Sequence, residues 1–164
     1  MKLLLGLGGN RGDVVATFAW VARKIQGQAR ILAASSLYLT EPLGPPQPPF
    51  CNAVLLLELA EDPFCFLKRC QTWEREAGRV REEEARWGPR PLDLDLLMVP
   101  GVVVVRPGLT LPHPRFASRR FALLPAAEVA PSWLHPRLHQ SLTALASSLP
   151  PEGQGCWRIG VFPR

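Results

Sequence analysis

The stretch "PLDLDLLMV", residues 91–99, constrains the fold more than any other part of the chain. Leu92, Leu94 and Leu96 alternate with Asp93 and Asp95. A period of two is resolved into an apolar and a polar face only by a β-strand. The leucines then face a core, and both carboxylates share the opposite face. Buried carboxylates are costly unless paired or bound to a cation. The strand is therefore expected to lie with one side in the core and the other at a charged site.

The remaining segments place this strand in an order. Residues 2–8 form a short apolar run that reads as a buried strand. Asp13 is a candidate N-cap for a helix over 14–26, closed by Gly27. Residues 29–39 read as a strand with Ile31, Ala33, Ser35, Leu37 and Leu39 on one face. "TEPLGPPQPPF" has five prolines in eleven residues, which excludes a helix or a central strand and predicts a long, stiff loop. A strand over 51–59 follows. Asp62-Pro63 then opens a helix that runs to about Ala77 before Gly78. "GRVREEEARWGPR" has many charges and no apolar period, and reads as an exposed loop that closes over ligands. After the aspartate strand come a fifth strand in "GVVVVRPG", a short helix over 117–124, a helix near 138–148 and an edge strand in "GCWRIGVF".

The core order is β-α-β-β-α-β. That order predicts an α+β, ferredoxin-like domain: a mostly antiparallel sheet with helices packed on one face, plus helical and strand additions at the C-terminus. Residues 1–164 are read as one domain. Four cysteines at irregular spacing predict free thiols rather than a disulfide framework or a zinc site. No run approaches the ~20 apolar residues of a membrane-spanning helix, so a soluble, cytoplasmic monomer is expected.

Net charge is +5, carried by sixteen arginines against three lysines. Arginine favours planar, bidentate recognition of phosphate or carboxylate. Two carboxylates at i and i+2, with arginines just upstream, suit a Mg²⁺ ion shared with nucleotide phosphates. An amphipathic strand whose aspartates pair with arginine would also explain them. Phe50 and Asn52 form another i, i+2 pair, suited to stacking and hydrogen-bonding a flat heterocycle. His113, between two prolines and near Arg119 and Arg120, suits a phosphate. "GLGGNRGD" resembles a dinucleotide-binding turn, but its spacing is GxGxxxG and the following order is not a parallel unit. A tight strand-to-helix turn accounts for these glycines, although Gly8, Gly9 and Asn10 are placed to line a neighbouring site. An RNA-binding domain would share the fold type and charge, but needs exposed aromatics where this chain has aspartates. A different Mg-dependent nucleotidyl transferase would share the DxD logic without the heterocycle pocket.

Taken together, "GGNRGD", "SSLYLTEPLG…FCNAV", "GRVR…RWGPRPLDLDLL" and "LPHPRF…RRFALLP" resemble, in order and over about residues 3–131, the 6-hydroxymethyl-7,8-dihydropterin pyrophosphokinase family of folate biosynthesis. The resemblance implies an αβα ferredoxin-like fold and pyrophosphate transfer from ATP to the pterin hydroxymethyl oxygen, with AMP leaving. Asp93 and Asp95 would hold two Mg²⁺ ions, and Asp95 would be indispensable to turnover. Arg79, Arg81 and Arg90 would serve catalysis, Arg81 and Arg90 also contacting ATP. His113, Arg119, Gln71 and Glu74 would complete the nucleotide site. Phe50 and Phe121 would sandwich the pterin, Asn52 would read its edge, Thr40 and Leu43 would add backbone hydrogen bonds, and Trp87 would close over it. The partners implied are pterin and ATP, with no nucleic acid and no membrane. The chain departs from the family pattern at Gly9, Phe50 and Glu41, and by one extra residue between Arg81 and Arg86.

Overall fold

A computed structural model describes residues 1–42, 46–78, 89–150 and 155–163. Chain order is β1 (Lys2–Gly9), α1 (Val14–Gln26), β2 (Ala29–Ala34), β3 (Leu37–Thr40), β4 (Phe50–Leu59), α2 (Pro63–Glu76), β5 (Asp93–Met98), β6 (Val104–Arg106), β7 (Leu109–Leu111), α3 (Arg120–Val129), α4 (Leu142–Ser148) and β8 (Cys156–Gly160). The main sheet runs β5-β1-β4-β3-β8, with β2 also on β4, and its pairings are antiparallel. β6 and β7 form a separate hairpin, so the expected fifth strand does not join this sheet. Among the described residues, no helix is long and apolar enough to cross a membrane.

Both helix starts expected around the first half of the chain form. Asp13 accepts from the Ala16 N–H, and Asp62 accepts from the Phe64 and Cys65 N–H groups, satisfying donors that the first helical turn leaves open. The expected strand over 29–39 is broken. At Ser35 the side-chain Oγ takes the Val54 N–H while the Ser35 N–H bonds the Val54 carbonyl. A hydroxyl thus replaces a ladder carbonyl, and β2 and β3 follow as separate pieces along one edge of β4.

The sheet is covered on both faces, not on one. Leu3, Leu5 and Leu7 of β1, Leu55 and Leu57 of β4, and Leu94 and Leu96 of β5 pack with Phe18, Ile25, Phe66 and Trp73 from α1 and α2. Leu4, Val54, Leu97 and Met98 pack on the other side with Leu123, Ala126, Leu142 and Leu145 from α3 and α4. The sequence additions thus supply a second core layer. Two helix boundaries also differ. Phe116–Ser118 is a separate 3₁₀ turn, Arg119 is extended (φ −110°, ψ 114°), and α3 begins at Arg120. The last helix begins only after Ser141, whose hydroxyl caps Ala144, because His139 has φ 57° and cannot continue a right-handed helix. All four cysteines are free; Cys51 and Cys70 are buried, and burial pushes the Cys51 thiol up to about 11.

Candidate active site

The second face of the sheet changes character along each central strand. On β4 the residues facing this side are Val54 and then Asn52 and Phe50; on β5 they are Leu97 and then Asp95 and Asp93; on β1 they are Leu4 and then Gly6 and Gly8. Antiparallel register aligns these changes, for Gly6 lies opposite Asp95, and Gly8 opposite both Asp93 and Asn52. The apolar half is covered by α3 and α4. The polar half is left open as a cavity of about 260 Å³.

Asp93, Asp95, Arg90, Arg115 and Arg119 line one side of it, and Thr40, Glu41, Phe50, Asn52 and Phe121 the other. Leu92, Leu94 and Leu96 are all nearly inaccessible on the opposite face. The expected division of this strand between leucines and carboxylates is therefore what the structure has. Arg90 Nη1 lies 3.5 Å from Asp93 Oδ2. Its Nε is buried with no hydrogen-bond partner among the described residues. The guanidinium of Arg119 stands 5.3 Å from the centre of the Phe121 ring. α3 starts here with no acidic residue in its first turn and no side-chain cap, so its positive end adds to the arginines.

His113 is anchored beside this wall. Its N–H donates to the Leu97 carbonyl at 2.7 Å, and its Nδ1 accepts from the Arg115 N–H at 3.2 Å. That bond leaves Nε2 to carry the proton of the neutral ring. Burial first, and then the Arg119 guanidinium, holds its pKa below the ordinary histidine value against the pull of Asp93.

Asn52 is buried and donates to Thr40 Oγ1 at 2.8 Å. A Cβ at Gly8 would come within 2.9 Å of Asn52 Oδ1. The glycines of "GLGG" are thus not turn residues: Gly6, Gly8 and Gly9 belong to β1, and only Gly12, with φ +74°, needs a glycine for its turn. Gly6 and Gly8 floor the cavity without side chains.

Gln71 and Glu74 do not line this cavity. Gln71 is exposed on α2, and Glu74 is buried with its Oε2 accepting the Leu94 N–H at 2.9 Å. β5 is an edge strand, so this N–H has no ladder partner, and Glu74 supplies one. The remaining expected residues Leu43, Arg79, Arg81 and Trp87 lie outside the described residues. Sequence reasoning placed Gly8 beside a site but missed Arg115 and Gly6. "PHPR" was the available signal for the first.

Among the described residues, no group of three or more acidic, cysteine or histidine side chains is arranged to enclose a metal. Two carboxylates on one strand face, opposite side-chain-free glycines, nonetheless fit a hard cation that takes its other ligands from substrate phosphates and water.

The family model described as 7,8-dihydro-6-hydroxymethylpterin-pyrophosphokinase matches residues 4–131. A Synechocystis 2-amino-4-hydroxy-6-hydroxymethyldihydropteridine pyrophosphokinase is 36% identical over 144 residues, covering 87% of this chain and 73% of the relative. The Pseudomonas aeruginosa protein of the same name is 40% identical over 127 residues, covering 77% and 76%. A folic acid synthesis protein of Schizosaccharomyces pombe is 36% identical over 153 residues, and the chain spans only 20% of its length. The crystal structure of Plasmodium falciparum HPPK-DHPS superposes with a TM-score of 0.67 at 14% identity, over 89% of this chain and 40% of that one, a likeness of fold. With the match spanning most of the domain, including every residue that lines the cavity, this chain belongs to the 7,8-dihydro-6-hydroxymethylpterin-pyrophosphokinase family.

Proposed function

We propose that the cavity carries out the family's pyrophosphoryl transfer, with the triphosphate of ATP along the arginine and aspartate wall and the pterin on the aromatic wall. The hydroxymethyl oxygen attacks the β-phosphorus in line and releases its proton, the bond from the β-phosphorus to the α-phosphate oxygen breaks, and AMP leaves. The observation that carries this reading is the shared face: Asp93 and Asp95 stand beside Arg90 and Arg119, across a glycine floor from Phe50 and Asn52.

Asp93 and Asp95 are the residues that would hold Mg²⁺, two ions in this proposal, supplying charge neutralisation across the phosphates. Arg90 and Arg119 bind phosphate oxygens and stabilise the charge that develops on the transferring group. His113 donates from Nε2. Phe50 and Phe121 stack the pterin, and Asn52, oriented by Thr40, reads its edge. Glu74 acts through β5 by holding Leu94, and Arg79, Arg81, Leu43 and Trp87 keep the roles the resemblance implies.

Incubating the protein with Mg²⁺, ATP and 6-hydroxymethyl-7,8-dihydropterin should give AMP in proportion to pterin consumed. ADP as product, or AMP formed without pterin, rejects the reading. Phe50→Ala removes one stacking face, worth about 1–3 kcal/mol per base by analogy with base–aromatic stacking. The pterin KM should rise by about tenfold or more while the ATP KM stays within about twofold. Gly8→Val drives a branched side chain against Asn52 Oδ1. At roughly 1–3 kcal/mol of overpacking it should raise the pterin KM by about one to two orders of magnitude. An unchanged pterin KM in both variants would remove the pterin from this wall.

A further inference from the structure

Asn10, the residue just after β1, is 8% exposed and uses every polar group of its side chain. Its Oδ1 accepts the Arg90 N–H at 2.8 Å, and its own N–H donates to the Arg90 carbonyl at 2.9 Å. Its Nδ2 donates to Gln47 Oε1 at 2.9 Å and to the Pro48 carbonyl at 2.8 Å. The amide has two N–H groups, and each has its own acceptor. Next to it, a Cβ on Gly9 would lie 2.7 Å from the Pro91 carbonyl oxygen. A side chain at Gly9 would therefore lift the 90–91 segment off the end of β1.

These contacts tie together two segments that meet nowhere in sequence. One carries Arg90 into the aspartate wall. The other is the proline-rich connection that delivers Phe50 to the aromatic wall. The aspartate wall is the nucleotide half of the site and the aromatic wall the pterin half, an assignment that rests on the function proposed above.

We infer that Asn10 is a positioning residue that couples the two halves: it acts as a clasp through which nucleotide bound at Arg90 holds the Phe50 segment in its pterin-binding position. The link is reciprocal, so pterin must tighten nucleotide by the same factor. Asn10 touches neither substrate and acts through Arg90, Gln47 and Pro48.

The test uses the full chain with Mg²⁺, the non-cleavable α,β-methylene analogue of ATP, and 6-hydroxymethylpterin as a fluorescent probe. Pterin Kd is measured with and without the nucleotide analogue. In the unmodified protein the analogue should tighten pterin by about tenfold or more. Asn10→Asp keeps the acceptor for the Arg90 N–H and removes both donors to the proline-rich segment. It should lower the coupling factor to about threefold or less, with the Kd for nucleotide alone changed by less than about threefold. Gln47→Leu, which removes one acceptor of the clasp at a half-buried position, should lower the factor partway, and it decides the matter if Asn10→Asp does not fold. Wild-type coupling in both variants overturns the inference, as does an unmodified protein that binds both ligands without coupling. If the unmodified protein binds neither ligand, the proposed function fails instead.

Discussion

Asp95→Asn should lower kcat by about a thousandfold. The substitution keeps the shape of the side chain and removes its charge, so the core has little reason to respond. Leu94 and Leu96, on either side, face away into the first core layer and are untouched. What is lost is one of two carboxylates able to hold a cation against the triphosphate, together with the charge that faces Arg119, whose guanidinium Asp95 supports against the effect of burial. Removing one preorganised electrostatic stabiliser commonly costs about 2.7–4 kcal/mol at the transition state, or 10²–10³ in rate. A metal ligand belongs at the upper end of that range. The check is kcat at saturating ATP and pterin, with the thermal midpoint measured in parallel. A kcat within about tenfold of wild type, in a protein that melts normally, would show that Asp95 does not hold the metal.

Arg90→Ala should cost about 10²–10³ in kcat/KM for ATP, and Arg90→Lys should recover little of it. The guanidinium lies beside Asp93, and its Nε is buried without a hydrogen-bond partner among the described residues. A lysine can restore one positive charge, but not a planar fork with several donors in fixed directions. Charge alone would be restored by lysine almost fully; bidentate geometry would not. The clasp to Asn10 is made by the backbone of residue 90, so both variants keep it. The pterin Kd in the absence of nucleotide should stay within about twofold. Full rescue by lysine would mean that Arg90 acts as a point charge and that its orphaned Nε has no role.

Much of this site is legible in the chain itself. The Leu92–Leu96 alternation places Asp93 and Asp95 on one face, because side-chain direction in a strand is a local property of the backbone. The Phe50–Asn52 pair follows in the same way, and the helix starts at Asp13 and Asp62 follow from unpaired N–H groups that nearby oxygens can satisfy. The errors have a common source. The glycines of β1 look like a turn because glycine is usually explained by φ, whereas Gly6 and Gly8 are needed for what sits above them. The break at Ser35 depends on Val54, nineteen residues away. Glu74 is a helix carboxylate until the edge of β5 is beside it, and then it becomes the partner of Leu94.

The sequence by itself determined the order of most strands and helices, the two faces of β5 and the excess of arginine. These rest on interactions between near neighbours, which propensity and period record. Only the tertiary structure decided that the polar halves of β1, β4 and β5 coincide, and that α3 ends its cover just where they begin. It also decided that Asn10 joins Arg90 to the segment leading to Phe50. Those facts depend on sheet register and on hydrogen bonds between residues tens of positions apart. No local pattern carries them, because their partners become neighbours only when the core has formed.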